Sequence, residues 1–171
     1  ARTDVTASET RKAHGSMMGT RVRTPPRSSV QHSIREDPDS AGTDGAGRSR
    51  AVVITGAANG IGAAAAVALA TRGNALVLVD RDEAALDPVA TRCRQLGAPA
   101  ASYVTDVRVP ESARTIYDLT VDLFGGVDDL LLFAGAIHSG YAATSRPEDL
   151  TAVIDTNLSA TIRYVTEGIA Y

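Results

Sequence analysis

Two runs of four to five residues, Ala51-Val52-Val53-Ile54 and Ala75-Leu76-Val77-Leu78-Val79, contain no polar side chain at all. A strand with one face in water would alternate apolar and polar residues. Strands this uniform are covered on both sides, the condition of a parallel sheet between two layers of helices. The rest of the chain from Arg50 onward fits that plan. Ala100 to Thr105 and Val127 to Ala134, which holds Leu130-Leu131-Leu132-Phe133, read as third and fourth strands. Between the strands lie helical stretches: Ile61 to Arg72, closed by Gly73; Asp82 to Leu96, stopped by Gly97; and Pro110 to Phe124, ended by Gly125-Gly126. Pro88 interrupts the second, with Asp87-Pro88 reading as an N-cap and first-turn proline that restart it. Pro147 to about Tyr171 forms a last helix with a break near Asn157. Right-handed crossovers, two running one way and the third reversing, give the strand order 3-2-1-4. A crevice then opens at the carboxyl ends of strands one and four. The expected fold is a Rossmann-type, doubly wound α/β domain.

Residues 50–171 are expected to form this domain, and residues 1–49 a disordered extension. The extension is rich in Arg, Ser, Thr, Gly, Pro and Asp, lacks sustained periodicity, and carries Pro25-Pro26 and the helix-hostile stretch 37–47. Its six acidic residues argue against a transit peptide, and it has no block of like charge for nucleic acid. Met17 and Met18 lie inside it. Aromatic residues make up 4% of the chain and Trp is absent, so Ala, Val and Leu must fill thin, closely packed layers. A net charge of −3 gives no reason to expect nucleic acid or an anionic membrane as partner. No apolar run approaches the length of a membrane span and no signal peptide is visible, which points to a cytoplasmic protein. The single cysteine, Cys93, excludes a disulfide framework and a multi-cysteine metal site, and no metal is expected. Flanking Arg92 and Arg94 would lower its pKa if they reached it; otherwise it is a small helical side chain.

Between the first strand and the first helix stands Thr55-Gly56-Ala57-Ala58-Asn59-Gly60-Ile61-Gly62. Gly56 permits a tight turn, Gly60 lets backbone approach a pyrophosphate, and Gly62 lets the helix pack closely. The free N–H groups and dipole at the helix start favour phosphate oxygens. Asp80 ends the second strand, 18 residues after Gly62. A carboxylate there can accept hydrogen bonds from both adenosine ribose hydroxyls and would repel a 2′-phosphate, favouring NAD over NADP. Asn59 stands where a basic residue would help NADP, whereas neighbouring Arg81 could accommodate the extra phosphate.

Taken together, the Thr-Gly-x-x-x-Gly-Ile-Gly spacing of Gly56, Gly60 and Gly62 resembles the short-chain dehydrogenase/reductase family, over Arg50 to Tyr171. The resemblance implies a nicotinamide cofactor and hydride exchange with an alcohol or carbonyl substrate. It implies that Asp106-Val107 contact adenine. It also aligns Leu132-Phe133-Ala134-Gly135 with the family's Asn-Asn-Ala-Gly, so the small Ala134 and Gly135 remain while the two asparagines are replaced. Asn157, in Asp155-Thr156-Asn157-Leu158, matches the asparagine of the family's catalytic tetrad; it reads equally well as a helix-kink residue.

The serine, tyrosine and lysine that complete that tetrad have no counterpart here. After Asn157 only 14 residues remain, the sole lysine is Lys12, and no Tyr-x-x-x-Lys occurs. A phenol titrating near pH 10 needs a nearby cation to act at neutral pH. Tyr164 and Tyr171 lie on the wrong element, and His138, after the fourth strand, has no evident partner. The chain therefore reads as the cofactor-binding front half of such an oxidoreductase, truncated and inactive alone. The alternative is a non-catalytic NAD-binding module acting with a partner chain. The two differ in whether the reading frame continues beyond Tyr171. A methyltransferase, which also places an acid after strand two, is disfavoured by the glycine spacing and by Asp106-Val107. Without further strands beyond it, Leu130–Phe133 becomes a sheet edge guarded only by Asp128 and Asp129, so self-association is expected.

Overall fold

The computed structural model describes Gly42 and residues 47–171. Most of the 1–49 extension, with Lys12, Met17 and Met18, lies outside the described residues. The described part is a four-stranded parallel sheet in the order β3-β2-β1-β4. Its elements are β1 (Ala51–Thr55), α1 (Gly60–Ala70), β2 (Ala75–Asp80), α2 (Glu83–Gln95), β3 (Ala100–Val104), α3 (Ser112–Phe124), β4 (Asp129–Leu132), α4 (Pro147–Ile154) and α5 (Ala160–Gly168). A π-helical turn, Asp155–Ser159, joins the last two.

The uniform apolar strands are central. In β1 and β2 every residue from Ala51 to Thr55 and from Ala75 to Val79 is buried. Successive side chains point to opposite faces. Val52, Ile54, Leu76 and Leu78 pack against Ala66 and Ala70 of α1 and Leu86, Ala90 and Cys93 of α2. Val53, Val77 and Val79 meet Ile116 and Tyr117 of α3 and Ala160 and Tyr164 of α5. The first two crossovers thus cover one face and the third covers the other. The crossovers reverse their direction across the sheet between β1 and β4, which run parallel with Thr55 paired to Leu132 where the two strands end. That is where the strands splay and a crevice forms.

Pro88 does not restart a helix. α2 runs unbroken from Glu83 to Gln95, capped by Asp82, whose carboxylate accepts from Ala85 N at 3.1 Å. Leu86, Ala90 and Cys93 form one buried stripe through the proline. Pro88 is exposed, as is Ala84, whose carbonyl the ring leaves without a helical partner, so water can satisfy it. α3 begins at Ser112 rather than at Pro110. The expected break near Asn157 is the π turn, and Asn157 is inside it.

Arg48 and Arg50 tie the entry of β1 to β4. Arg48 pairs with Asp128 at 2.9 Å and Arg50 with Asp129 at 2.9 Å, while Ala51 N donates to Asp128 at 2.6 Å. The two acids expected to guard the β4 edge are therefore engaged at one end of the sheet. Gly42 accepts from Arg50 N and donates to Arg72 O, so this margin of the extension packs on the domain. Along the last helical segment Ile154, Leu158, Ile162, Val165 and Ile169 are exposed. No helix among the described residues is long and apolar enough to cross a membrane.

Candidate cofactor site

A cleft of about 470 Å³ lies over the carboxyl ends of the strands. The glycine loop and the start of α1 form one wall, the ends of β2 and β3 form the second, and the exit of β4 forms the third. Eleven of the thirteen residues singled out in the sequence line it: Gly56, Asn59, Gly60, Ile61, Gly62, Asp80, Arg81, Asp106, Val107, Ala134 and Gly135. Thr55 and Asn157 stand behind the wall.

The loop is built on backbone conformations that side chains would block. Gly56 has φ +69° and lies against the β4 exit: a Cβ there would meet Ala134 N at 2.5 Å and Phe133 C at 2.6 Å. Gly62 sits so close to the loop that its Cβ would overlap the Gly56 carbonyl and lie 2.8 Å from Gly56 C. Gly62 thus packs helix on loop rather than helix on strand. Gly60 is different. Its φ is +54°, yet an added Cβ would meet nothing within 4 Å. The protein leaves that space free. Asn59 precedes α1 without a side-chain cap, and the first turn carries no acid. The N-terminal N–H groups and dipole of an eleven-residue helix therefore face the cleft unneutralised. Thr55 is buried, its hydroxyl lying 3.4 Å from Ala134 N as acceptor, which holds β1 and β4 together beneath the loop.

The opposite end carries the charge. Asp80 accepts from Ala58 N at 3.0 Å with one oxygen and from Asp82 N at 3.1 Å with the other. It shapes the glycine loop as well as lining the cleft, a role its position in the sequence did not disclose. Asp106 accepts from the backbone N of Arg108 at 2.9 Å and from its guanidinium at 2.6 Å. Hydrogen bonding to Arg108 lowers the Asp106 carboxyl below its ordinary value, with a smaller Coulombic contribution from Arg81, 3.9 Å away. Arg108 was missed in the sequence. The signal was its place two residues after an Asp in a turn, the spacing at which an Asp side chain bonds backbone N–H. The Val107 side chain is buried in the core beneath the cleft.

At the third wall Asn157 clasps the loop after β4. Its Oδ1 accepts from Ala136 N and its Nδ2 donates to Ala136 O, both at 2.8 Å. Ala136, Thr156, Thr105 and Phe133 also line the cleft. Asp82 lines it too, beside Asp80; none of these five was singled out as a site residue in the sequence.

Other candidates fall elsewhere. Tyr164 is buried, its hydroxyl donating to Ser112 Oγ at 3.2 Å, and burial raises its pKa, the reverse of what proton transfer requires. Tyr171 donates to Asp118 at 2.5 Å. His138 Nε2 lies 2.7 Å from Ser145 Oγ, in the loop after β4 and outside the cleft lining. Ser145 Oγ also lies 2.9 Å from the Tyr141 carbonyl. With its one proton given to that carbonyl, Ser145 accepts from His138 rather than being activated by it. Cys93 is fully buried and its thiol is pushed up by burial, outweighing the influence of Arg94. No group of metal-ligating side chains occurs among the described residues.

Residues 50–171 match the family model described as short chain dehydrogenase. The chain belongs to the short-chain dehydrogenase family. It is 40% identical over 108 residues to 11-beta-hydroxysteroid dehydrogenase A of Sesamum indicum, covering 63% of this chain and 30% of that protein. It is 31% identical over 124 residues to an uncharacterized oxidoreductase of Staphylococcus epidermidis, covering 72% and 53%. An alcohol dehydrogenase from the archaeon Thermococcus sibiricus, solved in complex with 5-hydroxy-NADP, superposes with a TM-score of 0.67 at 30% identity, over 71% of this chain and 52% of that one. The chain therefore spans about half, or less, of the length of these relatives. In this short-chain dehydrogenase domain the shared part includes the parallel sheet flanked by helices.

Proposed function

We propose that this chain is the cofactor-binding part of a short-chain dehydrogenase/reductase, holding a nicotinamide dinucleotide and serving hydride exchange with an alcohol or carbonyl substrate. The observation that carries this reading is the free space beside Gly60, at the uncapped start of α1 and inside the cleft. A pyrophosphate fits there: it is anionic, it needs close backbone approach, and the helix start offers N–H donors. Asp80 and Asp106 flank the adenosine end, and Ala134 and Gly135 leave room at the other. When bound, the cofactor would supply the hydride acceptor or donor. The protein's own part is to grip the phosphates, orient the ribose and keep the nicotinamide end open.

NAD is preferred in this reading. Asp80 presents a carboxylate to the ribose, and Asn59 offers no cation for a 2′-phosphate. The archaeal relative solved with an NADP derivative and the exposed Arg81 pull the other way. Fluorescence titration of the 171-residue chain should give tighter binding of NADH than of NADPH, and Asp80→Ala should narrow the gap. Equal or tighter NADPH binding in the parent would show that Arg81 dominates.

A second reading is a non-catalytic module completed by a partner chain, in which Tyr164 serves only the core. Both readings expect little turnover from the chain alone with NAD and secondary alcohols, or with NADH and ketones. They part when the sequence downstream of Tyr171 is read.

A further inference from the structure

The β3–α3 turn carries Asp106, and three of its carbonyls are held by two consecutive residues of α5. Arg163 Nη1 donates to the carbonyls of Val107 and Arg108, each at 3.3 Å. Tyr164 donates to Ser112 Oγ, which donates in turn to Val109 O at 2.8 Å. Within the same turn Asp106 binds the backbone N and guanidinium of Arg108. Arg163 itself is absent from the cleft lining.

We propose that Arg163 is a positioning residue for the adenosine half of the cofactor site, bracing from behind the turn that presents Asp106. The proposal rests on the cofactor reading above. The reasoning is geometric. A turn exposed to solvent on one side holds a carboxylate in place only if its peptide planes are fixed. Two adjacent carbonyls aimed at one guanidinium fix two successive planes. Arg suits this task because its Nη1 carries two charge-assisted N–H groups fixed in the guanidinium plane, one for each carbonyl, whereas the ammonium of Lys is free to rotate. The same brace aligns the Arg108 N–H toward Asp106, since that N–H belongs to the peptide plane of the Val107 carbonyl. Release of Arg163 would free that plane to rotate and loosen the Asp106–Arg108 pair.

The test uses the 171-residue chain and the variants Arg163→Met, Arg163→Lys and Tyr171→Phe. The last removes a different α5-side tie, to Asp118 on α3, and serves as a control for general loosening of the helix. NADH and ADP-ribose binding are titrated, and amide hydrogen exchange is followed over residues 106–109 without ligand. Arg163→Met should weaken NADH and ADP-ribose by a similar factor, about three- to tenfold, as expected for losing one or two hydrogen bonds. It should also speed exchange in the turn, with partial rescue by Arg163→Lys and no comparable effect of Tyr171→Phe. Unchanged exchange in Arg163→Met overturns the inference, as does parent-like NADH affinity in that variant. So does an equal loss in Tyr171→Phe, which would mean that α5 acts only through stability. Failure of the parent to bind either ligand overturns the cofactor reading and with it the assignment of Arg163 to that site. The ligand-free exchange separates that failure from a failure of the brace.

Discussion

Replacing Gly60 and Gly56 with alanine separates a glycine kept for a ligand from a glycine kept for the fold. Both have positive φ, so each substitution incurs a left-handed backbone cost of roughly 1–2 kcal/mol. At Gly60 the cost ends there, because the new methyl meets no atom within 4 Å. At Gly56 the methyl would press on Ala134 N at 2.5 Å and Phe133 O at 2.7 Å. Both are backbone atoms of the β4 exit, and neither can swing aside. Overpacking of this kind typically adds 1–3 kcal/mol, giving about 2–5 kcal/mol in total. Against a usual stability of roughly 5–15 kcal/mol, Gly56→Ala approaches the limit of folding. For a domain of this size, 1 kcal/mol corresponds to about 3–6 °C in melting temperature.

The ligand response should run in the opposite order to the stability response. In Gly60→Ala the methyl occupies the space through which a pyrophosphate reaches the N–H groups of α1. Loss of one charge-assisted hydrogen bond costs about 1.5–3 kcal/mol, or roughly ten- to a hundredfold in affinity. Melting curves and NADH titrations on both variants supply the readout. The expected pattern is a Gly60→Ala protein that melts within about 10 °C of the parent yet binds NADH at least tenfold more weakly. Gly56→Ala should lose far more stability. NADH affinity equal to the parent's in Gly60→Ala would refute the placement of the phosphates. A parent-like melt in Gly56→Ala would refute the packing argument.

Asn157→Ala removes both bonds to Ala136 and should lower stability by about 1–3 kcal/mol in denaturant titration, because a backbone N–H and C=O lose their partners together; an unchanged midpoint would show the clasp to be idle. Asp106 has a folded pKa below its ordinary 3.8, chiefly through its hydrogen bonds to Arg108. Its contribution is therefore present above the unfolded pKa and lost as pH falls through the folded one. Asp106→Asn should be less stable than the parent at pH 7, and the gap should close as pH falls through the lowered folded pKa of Asp106; a gap that stays constant on acidification would contradict the assignment. Exposed Ile154, Leu158, Ile162 and Val165, together with the β4 edge, should make the chain associate as concentration rises. Light scattering coupled to size exclusion checks this, and a monodisperse monomer at high concentration would show those surfaces to be covered.

The sheet was readable because burial on both faces left it no choice of residues. Ala51–Ile54 and Ala75–Val79 could be nothing but central strands, and the glycines at 73, 97 and 125 marked helix ends by requiring positive φ. The helix through Pro88 was not readable. A local rule, that proline stops or starts a helix, competed with a tertiary one, that Leu86, Ala90 and Cys93 share a buried face. The buried stripe prevailed, since Pro88 and Ala84 lie on the exposed face of the helix. The contacts at the margin of the extension were not readable for a similar reason. Arg48 looks like part of a polar tail, and its pairing with Asp128 spans 80 residues, beyond any local pattern.

The cleft divides along the same line. Its glycine-loop side is a matter of backbone shape, and shape is written in the spacing of Gly56, Gly60 and Gly62. The side formed by the ends of β2 and β3 depends on where polar side chains end up, and there one residue type serves two purposes. Asp80 was expected to meet a ribose, yet it also accepts the Ala58 N–H and so holds the loop that would grip the phosphates. Asp80→Ala therefore perturbs selectivity and loop geometry together. Discrimination between cofactors has to be judged from the ratio of NADH to NADPH affinity, because loosening the loop weakens both by a common factor. Asn157 shows the converse. It matches a catalytic position of the family, but both ends of its amide are committed to Ala136. In this chain its visible work is to join a π turn to the exit of β4.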